Sequence, residues 1–253
     1  MRAWLDAQLA TLEQEAGLAP VPEPDRSPML VVAFSTAELA GPPERFPSHY
    51  QFVGPSIHAR PQTTPFPWED LRPIPRVLVS LGTVNAEAGE RFYATVIEAL
   101  GDDGSHRGPR PQVVLVAPDA LVKQTAPNII RRPFVPQLAL LPEMSAVVCH
   151  GGQNTVCEAL AHGLPLVVLP IKDDQPVIAQ QVVDAGAGIR LKFGRVRADE
   201  LREAVRRVLE EPSFREAARR IQRSFTAAGG APRAAELIEG LIGQAPPTVP
   251  AAT

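Results

Sequence analysis

From residue 76 onward the chain repeats one pattern: a short apolar run, a turn rich in glycine or proline, then apolar residues at helical spacing. Residues 76–81 (RVLVSL), 112–117, 128–131, 146–149, 166–169 and 189–191 read as strands. Residues 86–100, 155–162, 176–185, and about 198–211, 213–228 and 231–242 read as helices, several of them closed by glycine. Strands that alternate with helices in this way restrict the fold to the α/β class: a Rossmann-like parallel sheet with helices on both faces and right-handed crossovers. Ligands of such sheets lie beyond the carboxyl ends of the strands, at the point where the strand order reverses. The loops that follow strands therefore carry the chemical reading. No internal repeat is visible.

The first 75 residues have a different texture. Residues 3–16 place Trp4, Leu5, Leu9, Leu12 and Ala16 at helical spacing before Gly17, while 29–34 (MLVVAF) and 50–53 read as short strands. Proline makes up 28 of 253 residues, about 11% against a usual ~5%, and many prolines fall in 20–28 and 42–75. Residues 55–75 read as a linker. The expected organisation is an N-terminal part and linker over 1–70, a ligand-binding α/β domain over 71–243, and a disordered tail over 244–253.

The net charge of -3 speaks against a polyanionic partner, and no nucleic acid is expected. The arginines between 190 and 223 are interleaved with acidic residues, a pattern of solvated helix faces. Cys149 and Cys157 form no disulfide framework, and no zinc spacing joins them to His150 and His162. The first residues lack the apolar core of a signal peptide, and no run of about 18 apolar residues occurs, so a cytoplasmic chain without a spanning segment is expected.

Two loops stand out. Cys149-His150-Gly151-Gly152-Gln153-Asn154-Thr155 leaves a strand and opens a helix. Two glycines let the backbone approach a ligand, and a helix start offers free N–H groups and a positive dipole end, which suits a diphosphate. A tight turn without a ligand fits the same residues. Thr155 and Glu158 fit a capping box, and Glu158 equally suits a ribose diol. In the second loop, 171–176, Asp174 and Gln175 suit vicinal sugar hydroxyls; the competing reading is a helix N-cap before Pro176. Gly186-Ala187-Gly188 follows a helix and reads as its C-terminal turn.

In order along the chain, Phe134-Val135-Pro136-Gln137, the 150–155 turn, Glu158-Ala159-Leu160, Gly163-Leu164-Pro165, Pro170 and Asp174-Gln175 resemble the donor signature of family 1 glycosyltransferases. The likeness is greatest to bacterial macrolide-type and other natural-product members, and it extends back through 77–83. The resemblance implies the GT-B fold, with 71–243 as its C-terminal donor domain and 1–70 as a partial remnant of the N-terminal acceptor domain. It implies inverting transfer of a hexose-type sugar from a UDP- or dTDP-sugar to a small hydrophobic or polyketide-like hydroxyl acceptor, with no metal and no further cofactor. By that likeness Phe134 stacks on the base, Val135 and Gln137 frame it, and Glu158 binds the ribose. His150, Gly151, Gly152, Asn154, Thr155 and Thr83 hold the diphosphate, and Asp174 and Gln175 hold the sugar.

The same resemblance places the general-base His and its acidic partner in roughly 150 residues, judged against ordinary domain sizes, that have no counterpart here. His49 and His58 do not match that motif and read as loop residues. No catalytic residue is assigned. The expectation is a donor half that works with a separate acceptor subunit or belongs to a truncated enzyme. The alternative is a non-catalytic nucleotide-sugar-binding or auxiliary protein, and a third reading is an epimerase on the same fold. Without its usual neighbours, the 29–34 strand is expected to leave an apolar patch open to self-association.

Overall fold

A computed structural model describes residues 2–18, 27–57, 63–82, 89–102, 104 and 110–242. Among them, α1 (Arg2–Glu15), β1 (Val31–Ala33), α2 (Ala37–Ala40) and β2 (Tyr50–Phe52) precede the large sheet. Then come β3 (Arg76–Ser80), α3 (Glu90–Leu100), β4 (Gln112–Val116), β5 (Ile129–Arg132), α4 (Gln137–Leu140), β6 (Ala146–Cys149), α5 (Gln153–Ala161), β7 (Leu166–Val168), α6 (Gln175–Asp184) and β8 (Gly188–Arg190). The helices α7 (Ala198–Glu210), α8 (Pro212–Ala228) and α9 (Gly230–Glu239) close the described chain.

The large sheet has six strands in the order β5-β4-β3-β6-β7-β8, all paired in parallel. Counted within the domain this is 3-2-1-4-5-6, the doubly wound order whose reversal lies between its first and fourth strands, here β3 and β6. The period of two sends alternate side chains to opposite faces. Leu78, Val147 and Leu166 face α5, α6 and α8, meeting Val156, Leu160, Ile178, Val182, Ile221 and Phe225. Val77, Val79, Val148 and Val167 face α3 and α7, meeting Phe92, Val96, Leu201 and Val205. Both faces are covered, which is why these strands are almost wholly buried and read as continuous apolar runs.

The N-terminal strands form a second, two-stranded parallel sheet, with Val31 opposite Tyr50 and Ala33 opposite Phe52. Every residue of both strands is only partly buried. This sheet is held through its surroundings: Leu39 of α2 and Val53 are buried, Thr36 Oγ1 lies 2.8 Å from Ser224 Oγ on α8, and the Gly230 amide donates to the Val53 carbonyl at 2.6 Å. Within the expected apolar patch at 29–34, Phe34 is 45% exposed and Met29, Leu30, Val31 and Val32 are partly buried.

Two sequence readings need correction. The 55–75 stretch is not a free linker where it is described. Phe66 is buried in the core, Trp68–Asp70 makes a single 3₁₀ turn, and Gln112 bridges the Arg72 amide and the Asp70 carbonyl, each at 2.8 Å. The capping box at Thr155 does not form either: α5 starts two residues earlier, with Gly152 as its N-cap, and Glu158 lies in the body of the helix. The 244–253 tail and His58 lie outside the described residues.

Candidate functional site

The reversal of strand order brings the carboxyl ends of β3 and β6 side by side, with Ser80 opposite Cys149. His150 follows directly and is 8% exposed. Its ring is bracketed by glycine backbone: a Cβ on Gly82 would sit 2.9 Å from Cε1, and one on Gly152 2.5 Å from Nε2. No other residue fits at either position without moving the imidazole. Gly151, between them, has a φ of 88°, the left-handed turn that aims α5 away from the strand. No side chain caps α5, so its first amides are left open at the N-cap Gly152, which borders the His150 ring.

Burial pushes the His150 pKa below the ordinary imidazole value, while the Ser80 backbone and the charge of Asp174 pull it back. His150 Nδ1 is buried and makes no hydrogen bond of good geometry among the described residues. Asp174 is the exposed N-cap residue of α6, at the carboxyl end of β7, and makes no cap bond with its side chain. The two loops singled out in the sequence lie close together: a Cβ on Gly151 would sit 3.3 Å from the Gln175 carbonyl.

The remaining sequence-predicted residues fall around this centre. Phe134, 63% exposed, edges a cleft of about 380 Å³ lined also by Ser80, Gly82, Asp119, Val135 and Gln137. Glu158 is 6% exposed on α5 and accepts a hydrogen bond from Gln137 Nε2 at 2.6 Å. A second cleft, about 420 Å³, lies on the far side of that pair, lined by Phe34, Ile57, Leu138, Asn154 and Glu158. Gln137 thus belongs to the wall of one cleft and Glu158 to the other. Asn154 is exposed on the first turn of α5 and Thr155 is buried behind it. Thr83 lies outside the described residues.

The Gln175 side chain is engaged in part by its own loop. It is 4% exposed, and its Oε1 accepts from the amides of Ile171 at 2.8 Å and Lys172 at 3.1 Å. Both acceptor positions of that oxygen are used by the loop. Two features that carry site geometry were not anticipated. Asp119 lines the Phe134 cleft and pairs with Arg131, whose guanidinium also reaches the Ala117 carbonyl at 3.5 Å. Phe34 and the Pro55–Ile57 stretch reach the second cleft from the N-terminal part. Neither had a local sequence signal, since both depend on which elements meet in space. Among the described residues no group of three or more His, Cys, Asp or Glu side chains is placed to hold a metal. The thiols of Cys149 and Cys157 are buried, each with its pKa pushed up to about 12 by desolvation.

Residues 112–243 match the family described as erythromycin biosynthesis protein CIII-like, C-terminal domain. This chain belongs to that glycosyltransferase family. It is 35% identical over 225 residues to 4'-demethylrebeccamycin synthase of Lentzea aerocolonigenes, covering 86% of this chain and 51% of that protein. Among solved structures, the glycosyltransferase of kitacinnamycin superposes with a TM-score of 0.78 at 27% identity, over 94% of this chain and 62% of that one. The glycosyltransferase VinC, solved in complex with dTDP, superposes with a TM-score of 0.59 at 27% identity, over 76% and 46% of the two chains. The chain therefore spans about half to three fifths of the length of these relatives. The shared part takes in the six-stranded sheet of the GT-B fold and, at 94% of this chain, most of the N-terminal part as well. No described helix is long and apolar enough to cross a membrane.

Proposed function

We propose that this chain supplies the donor site of an inverting glycosyltransferase, which moves a hexose-type sugar from a UDP- or dTDP-sugar to a hydroxyl of a small natural-product acceptor. The observation that carries the reading is the cleft that Phe134 and Gln137 share with Ser80 and Gly82, the glycine that borders the His150 ring, next to the Gln137–Glu158 pair and the uncapped start of α5 at the strand reversal. These groups offer what a nucleoside diphosphate needs: an open aromatic face for the base, a carboxylate for the ribose diol, and amide N–H groups with a positive dipole end for the diphosphate. The dTDP found with VinC, a relative of the same fold, supports the same ligand class.

In this reading Phe134 stacks on the base, with Val135 and Gln137 along its edge. Glu158 accepts from the ribose hydroxyls, with Gln137 keeping its carboxylate in place. Gly151, Gly152, Asn154, Thr155 and His150, together with Thr83, surround the diphosphate. Asp174 meets the sugar. The leaving diphosphate gains charge as the glycosidic bond breaks. Preorganised amide donors and the imidazole stabilise that charge without a metal ion. The base that activates the acceptor hydroxyl comes from a separate acceptor subunit or an acceptor domain, and we assign no catalytic residue in this stretch. A non-catalytic auxiliary protein would share the donor site and differ only in never turning over.

Isothermal titration with UDP and dTDP, with chelator and without metal, tests the reading. Micromolar binding is expected, about -8 kcal/mol at 1 μM. Glu158→Ala and His150→Ala are each expected to weaken it by roughly tenfold or more, the worth of a charge-assisted hydrogen bond. Unchanged affinity in both variants would overturn the site assignment. Sugar transfer on mixing with candidate acceptor subunits would rule out the auxiliary reading.

A further inference from the structure

The arginines between 190 and 223 read in the sequence as one run balanced by acidic residues, but in the fold that balance belongs to α7 and not to α8. On α7, Arg206 pairs with Glu203 at 2.7 Å and with Glu210 at 2.5 Å, and Arg207 pairs with Glu211 at 2.7 Å. α8 carries Arg215, Arg219, Arg220 and Arg223 and a single carboxylate, Glu216. None of these five side chains makes an ion pair among the described residues. α8 is thus three charges positive in a chain whose net charge is -3.

Two of the four guanidiniums have structural partners. Arg215 Nη2 donates to the Ser145 carbonyl at 2.6 Å, and Arg220 Nη2 to the carbonyl of Ala185, the C-cap of α6, at 2.8 Å. A cation at a helix C-terminus is an ordinary stabilising contact. Arg219 and Arg223 have no such use: both are exposed and make no hydrogen bond or ion pair among the described residues. Arg215, Arg219 and Arg223 are four residues apart and form one row along the helix. Like charges at that spacing repel and weaken a helix, and α8 holds two such pairs in succession. Burial and then the charge of Arg219 push the Arg215 pKa down, and no carboxylate pulls it back.

The row lies at the amino end of the six-stranded sheet. Ser145 is the residue before β6, and a Cβ on Gly163, just after α5, would sit 3.1 Å from Arg219 Cγ. His150 and Asp174 follow the carboxyl ends of β6 and β7, so the row is clear of the donor site.

We propose that the arginine row of α8 is a docking surface for the acidic helical face of a protein partner, held at the end of the domain opposite the donor site. Guanidinium forks match carboxylates in planar, paired hydrogen bonds, and carboxylates one turn apart on a partner helix meet successive arginines of the row. An anionic membrane fits less well. A helix that lies in a membrane interface inserts large apolar side chains, whereas Ile221 and Phe225 of α8 are buried in the core and no large apolar side chain of this helix is exposed.

The experiment is fluorescence anisotropy of the full chain with a labelled alanine-based helical peptide that carries glutamate at every fourth position, and with the same peptide carrying glutamine instead. Arg219→Gln combined with Arg223→Gln is compared with Arg206→Gln combined with Arg207→Gln, which removes equal charge from arginines that already have carboxylate partners. Wild type and the α7 variant should bind the glutamate peptide alike, more weakly as salt is raised. The α8 variant should bind roughly tenfold more weakly, the worth of two exposed ion pairs. It should melt no lower than wild type, because the change relieves repulsion within the helix. Absence of binding by wild type, equal weakening in both variants, or equal binding of the glutamine peptide would overturn the proposal. Displacement of the peptide by UDP or dTDP would overturn it too, by placing the peptide in the donor site. Co-sedimentation with phosphatidylserine vesicles that the peptide cannot displace would overturn it in favour of a membrane. A chain that binds the peptide through Arg219 and Arg223 but binds no nucleotide would support this surface while removing the donor-site reading.

Discussion

The two sheets of this chain are both parallel, and they are stabilised in opposite ways. The strands of the six-stranded sheet are buried between two helical layers, with central strands that pair on both edges. The strands of the small sheet pair only with each other among the described residues, and every side chain on them is partly exposed. Parallel pairs are rarely stable when left open to solvent, and two strands alone do not make an independent unit. The small sheet keeps its shape through contacts made by α2, Val53 and the loop after it with α8 and α9. Parallel pairing alone therefore says little about stability; what covers the faces decides it.

That contrast breaks most visibly in the core of the large sheet. Leu78→Ala, at a fully buried position on β3, is expected to cost about 2–5 kcal/mol in global denaturant unfolding. Val32→Ala, on the half-buried β1, should cost well under that; equal losses would erase the difference between the sheets. Gly54→Ala comes next. A Cβ there would lie 3.0 Å from Ala228 Cβ and 3.1 Å from the Phe225 carbonyl, so crowding of roughly 1–3 kcal/mol should fall on the docking of the small sheet. Limited proteolysis should then cut near residues 27–57 while near-ultraviolet signals from the large domain persist. Simultaneous loss of both would mean that the two parts unfold as one.

Smaller still is Ser224→Ala. Ser224 Oγ donates to the Ile221 carbonyl at 2.8 Å, which makes Thr36 the donor in their mutual bond. Removing the acceptor strands a buried hydroxyl and should cost about 1 kcal/mol, read as faster amide exchange in β1 and β2 with little change in β3. The smallest effect concerns pH. The folded His150 pKa is depressed below its unfolded value, so the unfolded chain takes up the proton first. The associated stability is present above the unfolded value of about 6.5 and is lost as pH falls through the folded value. Melting curves of wild type and His150→Gln across that window should converge toward low pH; a constant gap would show that His150 does not titrate in the folded chain.

Much of the large sheet was legible because its strands are buried on both faces and so stand out as unbroken apolar runs. The 146–149 strand was read to the residue. The two catalytically suggestive loops were also legible, because glycine pairs and an Asp-Gln-Pro sequence at strand ends are local signals. What escaped the sequence was non-local or very short. The four-residue helices α2 and α4 are too brief to show a period. The Thr-x-x-Glu spacing at 155–158 satisfied the capping rule, but the chain starts α5 at the glycines, and the carboxylate goes instead to Gln137, 21 residues away. The bonds that the Gln175 oxygen accepts from two amides, three and four residues before it, also gave no sequence signal.

α8 belongs to the large domain by its place in the chain and by Ile221 and Phe225, yet it also carries Ser224 to Thr36 and leads into the Gly230 amide that holds Val53. Mechanically it is a strap fastened across both parts by the last segments of the chain. Tension on the N-terminus would load the Thr36 and Val53 attachments before any strand of the six-stranded sheet is sheared. The expected force trace is a weak early rupture followed by a stronger one, with the early event weakened when the chain is cut after α8, which removes the Gly230 attachment and leaves Ser224 in place.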